Sequence, residues 1–328
     1  MYKKVQTDMF HTDSAVSLNH VTKEFSQWQR DNTTKGIIRN LLKPEKRVIK
    51  ALDDLSFEVK RGEFIAYAGP NGAGKSTTLK LLAGMLLPTS GDISVLSMSP
   101  KTERREIMKY MGVLFGNRTE LWWDQPIIQS FEWKKVVWDI PQKIYEENLK
   151  MVTELLDISD ILKTFARELS LGQRMKADLA MLLLHSPTLI LLDEPTLGLD
   201  VTAKRQMIAF LKQLNETKGT TIIVTSHDMD DLEEMAKRIL LISKGKIAFD
   251  GDFTKLHEEI GNTKIANVRY VNGEEKNISY NNINVLLKEL STMTGIADIS
   301  FSETSLEEGM VQLYKKWKTD DTSTTSAN

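Results

Sequence analysis

The sequence predicts an α/β fold built on a parallel sheet. It also predicts a helical subdomain and a small α+β appendage. Three observations predict the parallel sheet: a glycine-rich loop lies between an apolar run and a helix-forming segment, a second apolar run ends in two carboxylates, and a third ends near a histidine. Buried parallel strands have continuous apolar sequences. Because open α/β sheets bind ligands at the carboxyl ends of their strands, these segments predict one shared site.

The amino-acid composition limits the class of protein to which the chain can belong. It has 328 residues, 41% of them hydrophobic and 27% charged, and a formal net charge of -2. This composition is typical of a soluble globular protein with one large and one smaller domain, and the charge argues against bulk nucleic-acid binding. The absence of cysteine excludes disulfides and metal–thiolate sites. The most apolar stretch, 179–192, is too short to cross a bilayer, and the N-terminus lacks a signal peptide's apolar core, so we expect a cytosolic chain.

The glycine-rich loop, residues 69–77, matches G-x-x-x-x-G-K-[ST], the P-loop pattern that wraps nucleotide phosphates. The run 63–68 before it predicts a buried strand, and the run 76–85 after it predicts a helix. Backbone N–H groups at a helix N-terminus bind phosphate, Lys75 suits the β- and γ-phosphates, and Ser76 offers a hydroxyl to Mg²⁺. We therefore expect ATP or GTP here; the alternative is a glycine-rich turn without a ligand. The predicted contacts are Gly69, Asn71, Gly72, Gly74, Lys75, Ser76 and Thr77.

Two later strands are predicted to complete the site. The apolar run 188–192 ends in Asp193 and Glu194, and the β-rich run 220–225 leads to His227. Asp193 is suited to hold Mg²⁺ through water, and Glu194 to polarise the water that attacks the γ-phosphate. His227 is predicted to bridge Glu194, the γ-phosphate and that water. A solvated acidic turn and a structural histidine are the alternatives.

A third motif lies between the P-loop and the acids. Leu169-Ser170-Leu171-Gly172-Gln173-Arg174 precedes a helix-forming run from Met175, with Ser170 as its predicted N-cap. With the P-loop, the two acids, the loop Gly198-Leu199-Asp200 and His227 in this order, residues 15–250 resemble the ATP-binding subunits of ABC transporters. The resemblance implies a P-loop NTPase fold of the ABC ATPase type, with a helical subdomain at about 100–166.

The resemblance also implies how the chain assembles. Two protomers would form a head-to-tail dimer. In it, the motif 169–174 of one protomer, which we call the signature, closes over ATP held by the P-loop of the other. The nucleotide contacts implied outside the P-loop are Phe25, Asn117, Ser170, Gly172, Gln173 and Asp200. The metal contacts implied are Ser76, Asn117 and Asp193.

Three positions depart from the family pattern or match it loosely. Leu171 stands where the commonest signature has glycine. Where the family has a glutamine that touches Mg²⁺, this chain has Asn117, with one methylene less of reach, and Gln125 is a weaker candidate. Phe25 matches an aromatic that stacks on adenine; a core aromatic at a strand end is its alternative.

Two further segments suggest partner contacts. The basic insertion 30–50 is interpreted as a solvated loop, with 36–42 as a candidate short amphipathic helix and with contact to acidic lipid or a membrane subunit as the alternative. Four tryptophans fall in the helical subdomain, and either core packing or contact with a transmembrane partner explains them. They are Trp122, Trp123, Trp133 and Trp138.

The character of the chain changes after Gly251. Residues 251–318 predict a small α+β domain with strands at 264–270, 276–280 and 296–301 and helices at 283–290 and 305–317. It is interpreted as a dimer contact or a regulatory module. The polar tail 319–328 is predicted to be disordered.

The function that we expect is ATP hydrolysis that drives an ABC transporter. The partners implied are an integral membrane permease and a second copy or a related ATPase subunit, at the cytoplasmic face of the cell membrane. The signature and Trp122-Trp123-Asp124 resemble subunits of ABC-2-type exporters. A soluble ABC ATPase acting on ribosomes or DNA is the alternative, but such proteins usually carry two nucleotide domains, a coiled coil or metal-binding cysteines. A phosphotransferase would leave the signature and His227 unexplained.

Overall fold

The computed structural model describes residues 13–28, 46–116, 119–260, 264–280 and 282–303, with positions 306, 309, 310 and 313. These residues form two compact units. The first comprises the described residues up to 227 together with 231–250, and the second comprises 228–230 and those from 251 onward. None of the helices within these ranges is both long and apolar enough to span a bilayer.

The first unit alternates strands and helices. In chain order its elements are β1 (Ser14–Trp28), β2 (Lys46–Lys60), β3 (Phe64–Ala68), α1 (Lys75–Leu82), β4 (Ser90–Val95), α2 (Arg104–Met108), β5 (Met111–Phe115), α3 (Ile127–Val137), α4 (Gln142–Leu156), α5 (Leu171–Leu183), β6 (Leu189–Asp193), α6 (Val201–Lys218), β7 (Thr221–Thr225), α7 (Met229–Met235), β8 (Arg238–Ser243) and β9 (Lys246–Asp252). The first two residues of α7 and the last two of β9 belong to the second unit.

The central sheet has the strand order β5-β6-β7-β3-β8-β9. Strands β5, β6, β7, β3 and β8 run parallel to one another. Strands β3 and β7 are buried along their whole length, as the continuous apolar runs predict. The three predicted motif-bearing strands are therefore neighbours, and their carboxyl ends share one edge.

A second, antiparallel sheet has the order β2-β1-β4. Its core side chains pack with those of α1 and of the central sheet in one apolar cluster, which includes Leu52, Leu79 and Ile242. Burying apolar surface of this kind is the main contribution to the stability of such a domain.

The pairing of β1 with β2 corrects one expectation. It continues to Trp28 opposite Lys46, so residues 46–50 form a strand and not the solvated loop expected of the basic insertion. Backbone hydrogen bonds to β1 hold this extension, although the side chains from Arg47 to Lys50 are exposed. The remainder of the insertion, including the proposed helix at 36–42, lies outside the described residues.

The helical subdomain is built mainly from α3, α4 and α5. The predicted amphipathic helix 145–156 is confirmed and begins slightly earlier, at Gln142. Helix α5 packs against α4, α3 and strand β5, which places the helical subdomain beside the edge of the central sheet.

The second unit contains α8 (Phe253–Ile260), β10 (Lys264–Tyr270), β11 (Glu275–Tyr280), α9 (Ile283–Leu290) and β12 (Ile296–Glu303). Its sheet is antiparallel with the order β11-β10-β12. Leu286 and Leu290 of α9 pack against Ala266, Val268 and Ile278 of the sheet. The three predicted strands and the helix 283–290 are confirmed. Of the predicted last helix, 305–317, the structure describes four helical positions, and the tail 319–328 lies outside the described residues.

Candidate functional site

The glycine-rich loop connects β3 to α1 at the carboxyl edge of the sheet. Gly74 is the N-cap of α1 and has a left-handed backbone with φ 118°. A Cβ there would lie 2.6 Å from Cδ2 of Leu52 and 2.8 Å from the Ala51 carbonyl oxygen, so only glycine fits. A Cβ on Gly72 would meet nothing within 4 Å. The loop is thus fixed at its base and open around Gly72.

Lys75 lies across this loop. Its Nζ donates hydrogen bonds to the carbonyl oxygens of Gly69, at 2.6 Å, and Pro70, at 3.4 Å. Burial lowers the pKa of Lys75, and the negative charges of Glu194 and Asp193 oppose that shift. The loop lysine and the two acids therefore act on one another electrostatically, as expected for one site.

The first turn of α1 orients the remaining P-loop side chains. Ser76 and Thr77 are half-buried, and Asn71 is exposed. The Thr78 hydroxyl donates to the Gly74 carbonyl at 3.1 Å and contacts the Tyr67 hydroxyl at 2.9 Å. These bonds hold the start of the helix against β3, so the backbone N–H groups of the loop keep a fixed direction.

The two predicted acids end β6 and lie beside the end of β7. Asp193 is paired in register with Thr225, whose hydroxyl donates to Oδ1 of Asp193 at 2.7 Å. Glu194 has a left-handed backbone with φ 58°, which is uncommon for a residue other than glycine. Its N–H lies 3.1 Å from both the carbonyl oxygen and the hydroxyl of Thr225.

Glu194 and His227 contact each other directly. Oε1 of Glu194 lies 2.6 Å from Nε2 of His227. The Glu194 side chain is mostly buried, whereas 48% of the His227 side chain is exposed. A carboxylate and an imidazole at hydrogen-bond distance, open on one side, can position a water molecule and move a proton.

The signature turn is a complete capping box. Ser170 Oγ accepts a hydrogen bond from the Gln173 N–H at 3.2 Å, and the Ser170 N–H donates to Oε1 of Gln173 at 2.9 Å. The prediction of Ser170 as an N-cap is confirmed, and α5 begins at the next residue, Leu171. Ser170 and Gln173 are exposed and therefore accessible to a second molecule.

The loop after the acids packs against this turn. A Cβ on Gly198 would lie 2.7 Å from Cδ2 of Leu171, so the leucine that departs from the family pattern occupies the space beside that glycine. Asp200 is the N-cap of α6 and accepts hydrogen bonds from the N–H groups of Thr202 and Ala203, both at 2.9 Å. Its carboxylate thus has a structural contact in addition to the nucleotide contact that the sequence predicts.

Of the two weaker sequence candidates, Phe25 and Asn117, the structure describes only Phe25. Phe25 is half-buried on β1, opposite Ile49, with Nζ of Lys23 5.1 Å from its ring centroid. Asn117 lies outside the described residues. The residue before it, Gly116, donates its N–H to the Asp193 carbonyl at 3.0 Å, so the loop starts beside the acids. Gln125 is exposed in the turn that follows.

Sequence reasoning missed three buried polar residues that hold the site or the segments leading to it. Thr225 is fully buried beneath both acids. Asp231 is buried and contacts Thr196, two residues after Glu194, and Lys204, each at 3.0 Å. In the sequence, Thr225 is only a hydroxyl at the end of the β7 run, and Asp231 is only a carboxylate four residues after His227. Neither could be assigned a role until the structure showed which residues it contacts.

Asp178 is the third of these residues. On α5, its Oδ1 accepts hydrogen bonds from the Thr119 hydroxyl, at 2.7 Å, and the Glu120 N–H, at 3.3 Å. Burial raises its pKa to about 6 in spite of these bonds. The carboxyl ties the signature helix to the segment that follows the loop of Asn117.

The residues at this edge fit Mg²⁺ bound together with a nucleotide. Helix α1, which carries Ser76, packs against β6, which ends in Asp193. Mg²⁺ in nucleotide sites is held by one or two protein oxygens together with phosphates and waters. Ser76 and Asp193 are the residues that would hold the ion.

Comparison with known proteins agrees with this geometry. Residues 52–197 match the profile of the family described as "ABC transporter". The chain is 33% identical to the uncharacterized ABC transporter ATP-binding protein YhcH of Bacillus subtilis, over 60% of this chain and 63% of that protein. It is 34% identical to the probable multidrug ABC transporter ATP-binding protein YbhF of Escherichia coli, over 61% of this chain and 34% of that protein. The match thus spans less than two thirds of either relative.

Solved structures share the fold. The dimeric ATP-binding cassette MJ0796, bound to ADP and Pi in a post-hydrolysis state, superposes with a TM-score of 0.61 at 23% identity, over 72% of this chain and 98% of that one. CbiO1 of Clostridium perfringens superposes with a TM-score of 0.61 at 22% identity, over 76% and 92%. The part of the chain that carries the P-loop, the signature and the paired acids therefore matches the ABC transporter family, and the relatives that the chain resembles are ATP-binding proteins of ABC transporters.

Proposed function

We propose that the chain is the ATP-hydrolysing subunit of an ABC transporter whose membrane permease is a separate chain. The observation that carries the hydrolytic part is the contact of 2.6 Å between Glu194 and His227. This pair lies beside Asp193, at the edge of the sheet where the P-loop also opens. A base, an orienting imidazole, a metal ligand and a phosphate-binding loop are the parts that phosphoryl transfer to water requires.

Each residue has a definite task in this proposal. The loop N–H groups and Lys75 bind the phosphates, and Ser76 and Asp193 would hold Mg²⁺, which neutralises phosphate charge when bound. Glu194 accepts a proton from the attacking water, and His227 holds that water and the carboxylate in line. Thr77 and Asn71 complete the polar lining of the loop.

The test of this function is phosphate release from ATP by the purified chain, with Mg²⁺ and with a chelator. We expect Mg²⁺-dependent release, which Lys75→Ala abolishes together with ATP binding. Lys80→Ala is the matched control, because Lys80 is on the same helix and is exposed. Equal release by the Lys75→Ala and Lys80→Ala proteins would contradict the assignment of the P-loop as the ATP site.

A second copy of the chain, or a related ATPase subunit, is proposed to complete each site. Ser170 is exposed, and apolar side chains near it and near the loop after Glu194 are also exposed. These are Leu171, Leu197 and Val201. Exposed apolar groups beside a helix N-terminus suit a contact that brings the Ser170 turn to a partner's γ-phosphate.

The permease is proposed to contact the helical subdomain on a surface that we call the tryptophan surface. It comprises Trp122, Trp123, Trp133, Val136 and Val137. All five are exposed, Val136 to 74%, and the rings of Trp122 and Trp133 lie 5.7 Å apart. A cavity of about 260 Å³ adjoins Trp133, with Glu120 and Lys134 in its wall. Large exposed aromatics beside a cavity are typical interface anchors, so partner contact is favoured over core packing for these tryptophans.

Export is the proposed direction, and it rests on the resemblance to ABC-2-type subunits. One relative, YbhF, is described as a probable multidrug transporter protein, in keeping with export. The proposed location is therefore peripheral, at the cytoplasmic face of the cell membrane. The relatives named as transporter proteins do not favour the soluble alternative on ribosomes or DNA.

Co-purification from detergent-solubilised membranes tests the partner. We expect a polytopic membrane protein to co-purify with the wild-type chain and to be lost with Trp123→Ser and Val136→Ser, while ATP binding is unchanged. Val271→Ser, at an exposed position of the second unit, is the control. Recovery of ribosomes or nucleoprotein alone would contradict the transport proposal.

A further inference from the structure

The hydroxyl of Thr225 links the two acids of the site. It donates its hydrogen to Oδ1 of Asp193 at 2.7 Å, and its oxygen lies 3.1 Å from the Glu194 N–H. The first contact acts on the carboxylate that would hold Mg²⁺, and the second acts on the backbone of the base. A single side chain therefore constrains both functional groups at once.

Burial makes this link difficult to replace. Thr225 has no exposed surface, so water cannot substitute for its hydroxyl without a change in the packing. The Glu194 N–H also lies 3.1 Å from the Thr225 carbonyl oxygen, and would keep that partner if the hydroxyl were lost. Oδ1 of Asp193, in contrast, would lose a charge-assisted hydrogen bond, which is one of the stronger kinds.

The position of Thr225 in the fold explains why it can act on both acids. It is the last residue of β7, in parallel register with Asp193 at the end of β6. His227 follows two residues later. The residue thus stands between the strand that supplies the acids and the segment that supplies the imidazole.

We propose that Thr225 is a positioning residue that fixes the free oxygen of Asp193 toward the metal and the backbone of Glu194 toward His227. This inference rests on the proposed ATP hydrolysis. With the hydroxyl removed, Asp193 can rotate, and metal-dependent steps should suffer while nucleotide binding without metal does not. Thr225 touches no reacting atom in this proposal.

The test compares three variants. Thr225→Val keeps the shape and removes the hydroxyl, and Thr225→Ser keeps the hydroxyl. Thr221→Val is the matched control, because Thr221 is a buried threonine of the same strand whose hydroxyl accepts the Gly62 N–H instead. Two quantities are measured: kcat for ATP, and the ratio of the ATP dissociation constants without and with Mg²⁺.

We expect Thr225→Val to lower kcat about 10- to 100-fold, the range for losing a hydrogen bond to a charged group. The advantage that Mg²⁺ gives to ATP binding should shrink, while metal-free ATP binding stays unchanged. Thr225→Ser should restore both quantities, and Thr221→Val should leave both unchanged, even if it lowers the melting temperature.

Two results would overturn the inference: a Thr225→Val protein with wild-type kcat and Mg²⁺ dependence, or a Thr221→Val protein with the same losses as Thr225→Val. The second would show that any buried hydroxyl of β7 matters equally. If the wild-type chain hydrolyses no ATP, the proposed function fails instead, and the Mg²⁺ ratio still decides the role of Thr225 because it needs no turnover.

Discussion

Individual side chains at the ends of β6 and β7 determine what the site can do. Glu194 holds His227 at 2.6 Å, and Thr225 holds Asp193 at 2.7 Å. Only His227 of these four is substantially exposed. Because Thr225 holds the acids from the buried side and the imidazole is open to solvent, the imidazole is the group of these four that is most accessible to a bound nucleotide.

Removal of His227 should therefore slow hydrolysis more than binding. We expect His227→Ala to lower kcat by about 10²- to 10⁴-fold, the usual contribution of a positioned acid–base group. The ATP dissociation constant should change little. His20→Ala is the control, since His20 is an exposed histidine paired with Asp54. Measurement of steady-state phosphate release and of equilibrium ATP binding checks this, and an unchanged kcat would contradict the assigned role.

Asp178 should make stability depend on pH. Because its pKa is about 6 in the folded chain and lower in the unfolded chain, the folded state binds more protons between about pH 4 and pH 6. Stability contributed by this group therefore falls as pH rises through that window. Asn cannot titrate, so Asp178→Asn should gain about 2 kcal/mol relative to the wild type between about pH 4 and pH 7.

Denaturant unfolding at several pH values measures this difference. The exposed Asp160→Asn variant is the control for the loss of a carboxyl group. A difference between the Asp178→Asn protein and the wild type that stays constant with pH would show that the buried carboxyl does not titrate as described.

At the scale of whole elements, helices α5 and α6 each start at a residue whose side chain caps the helix N-terminus. Ser170 caps α5 in a capping box, and Asp200 caps the 18-residue α6 through two N–H groups. The start of α5 also lies against the loop before α6, where Leu171 occupies the space beside Gly198. The signature turn and the loop after the acids therefore form one structural group, and a change in either cap should affect both.

Asp200→Ala should destabilise the chain by about 1 kcal/mol, the usual cost of losing an N-cap. Asp200→Asn keeps an oxygen that can accept both N–H groups and should restore most of the loss. The midpoint and slope of denaturant unfolding measure the effect. If Asp200→Ala leaves stability unchanged but weakens ATP binding, the carboxylate has a nucleotide role without the structural one.

The elements show where sequence reasoning succeeds. Strands β3, β6 and β7 were predictable because burial on both faces makes their sequences continuously apolar. The extension of β1 and β2 was not, since residues 47–50 are exposed and the extension is paired with β1 through the backbone, which leaves little apolar pattern in the sequence. The motif residues of the site could be assigned from their spacing. Thr225 and Asp231 could not, because their partners are distant in sequence.

For the whole molecule, the central claim is that ATP binds between two copies and is hydrolysed with Glu194 as the base. The described part of one chain supplies a P-loop with the acids and, elsewhere, an exposed signature turn. Glu194→Gln should remove the base and preserve the contacts that bind ATP, so that a closed assembly accumulates.

The measurement that tests this claim most directly is light scattering of the Glu194→Gln protein after incubation with ATP and Mg²⁺, with identification of the bound nucleotide. We expect a particle of about twice the chain mass of 37.3 kDa that retains intact ATP, and a single-chain mass with ADP. A single-chain particle at saturating ATP would contradict a site shared between two copies of this chain. A bound nucleotide that is ADP would contradict the role of Glu194.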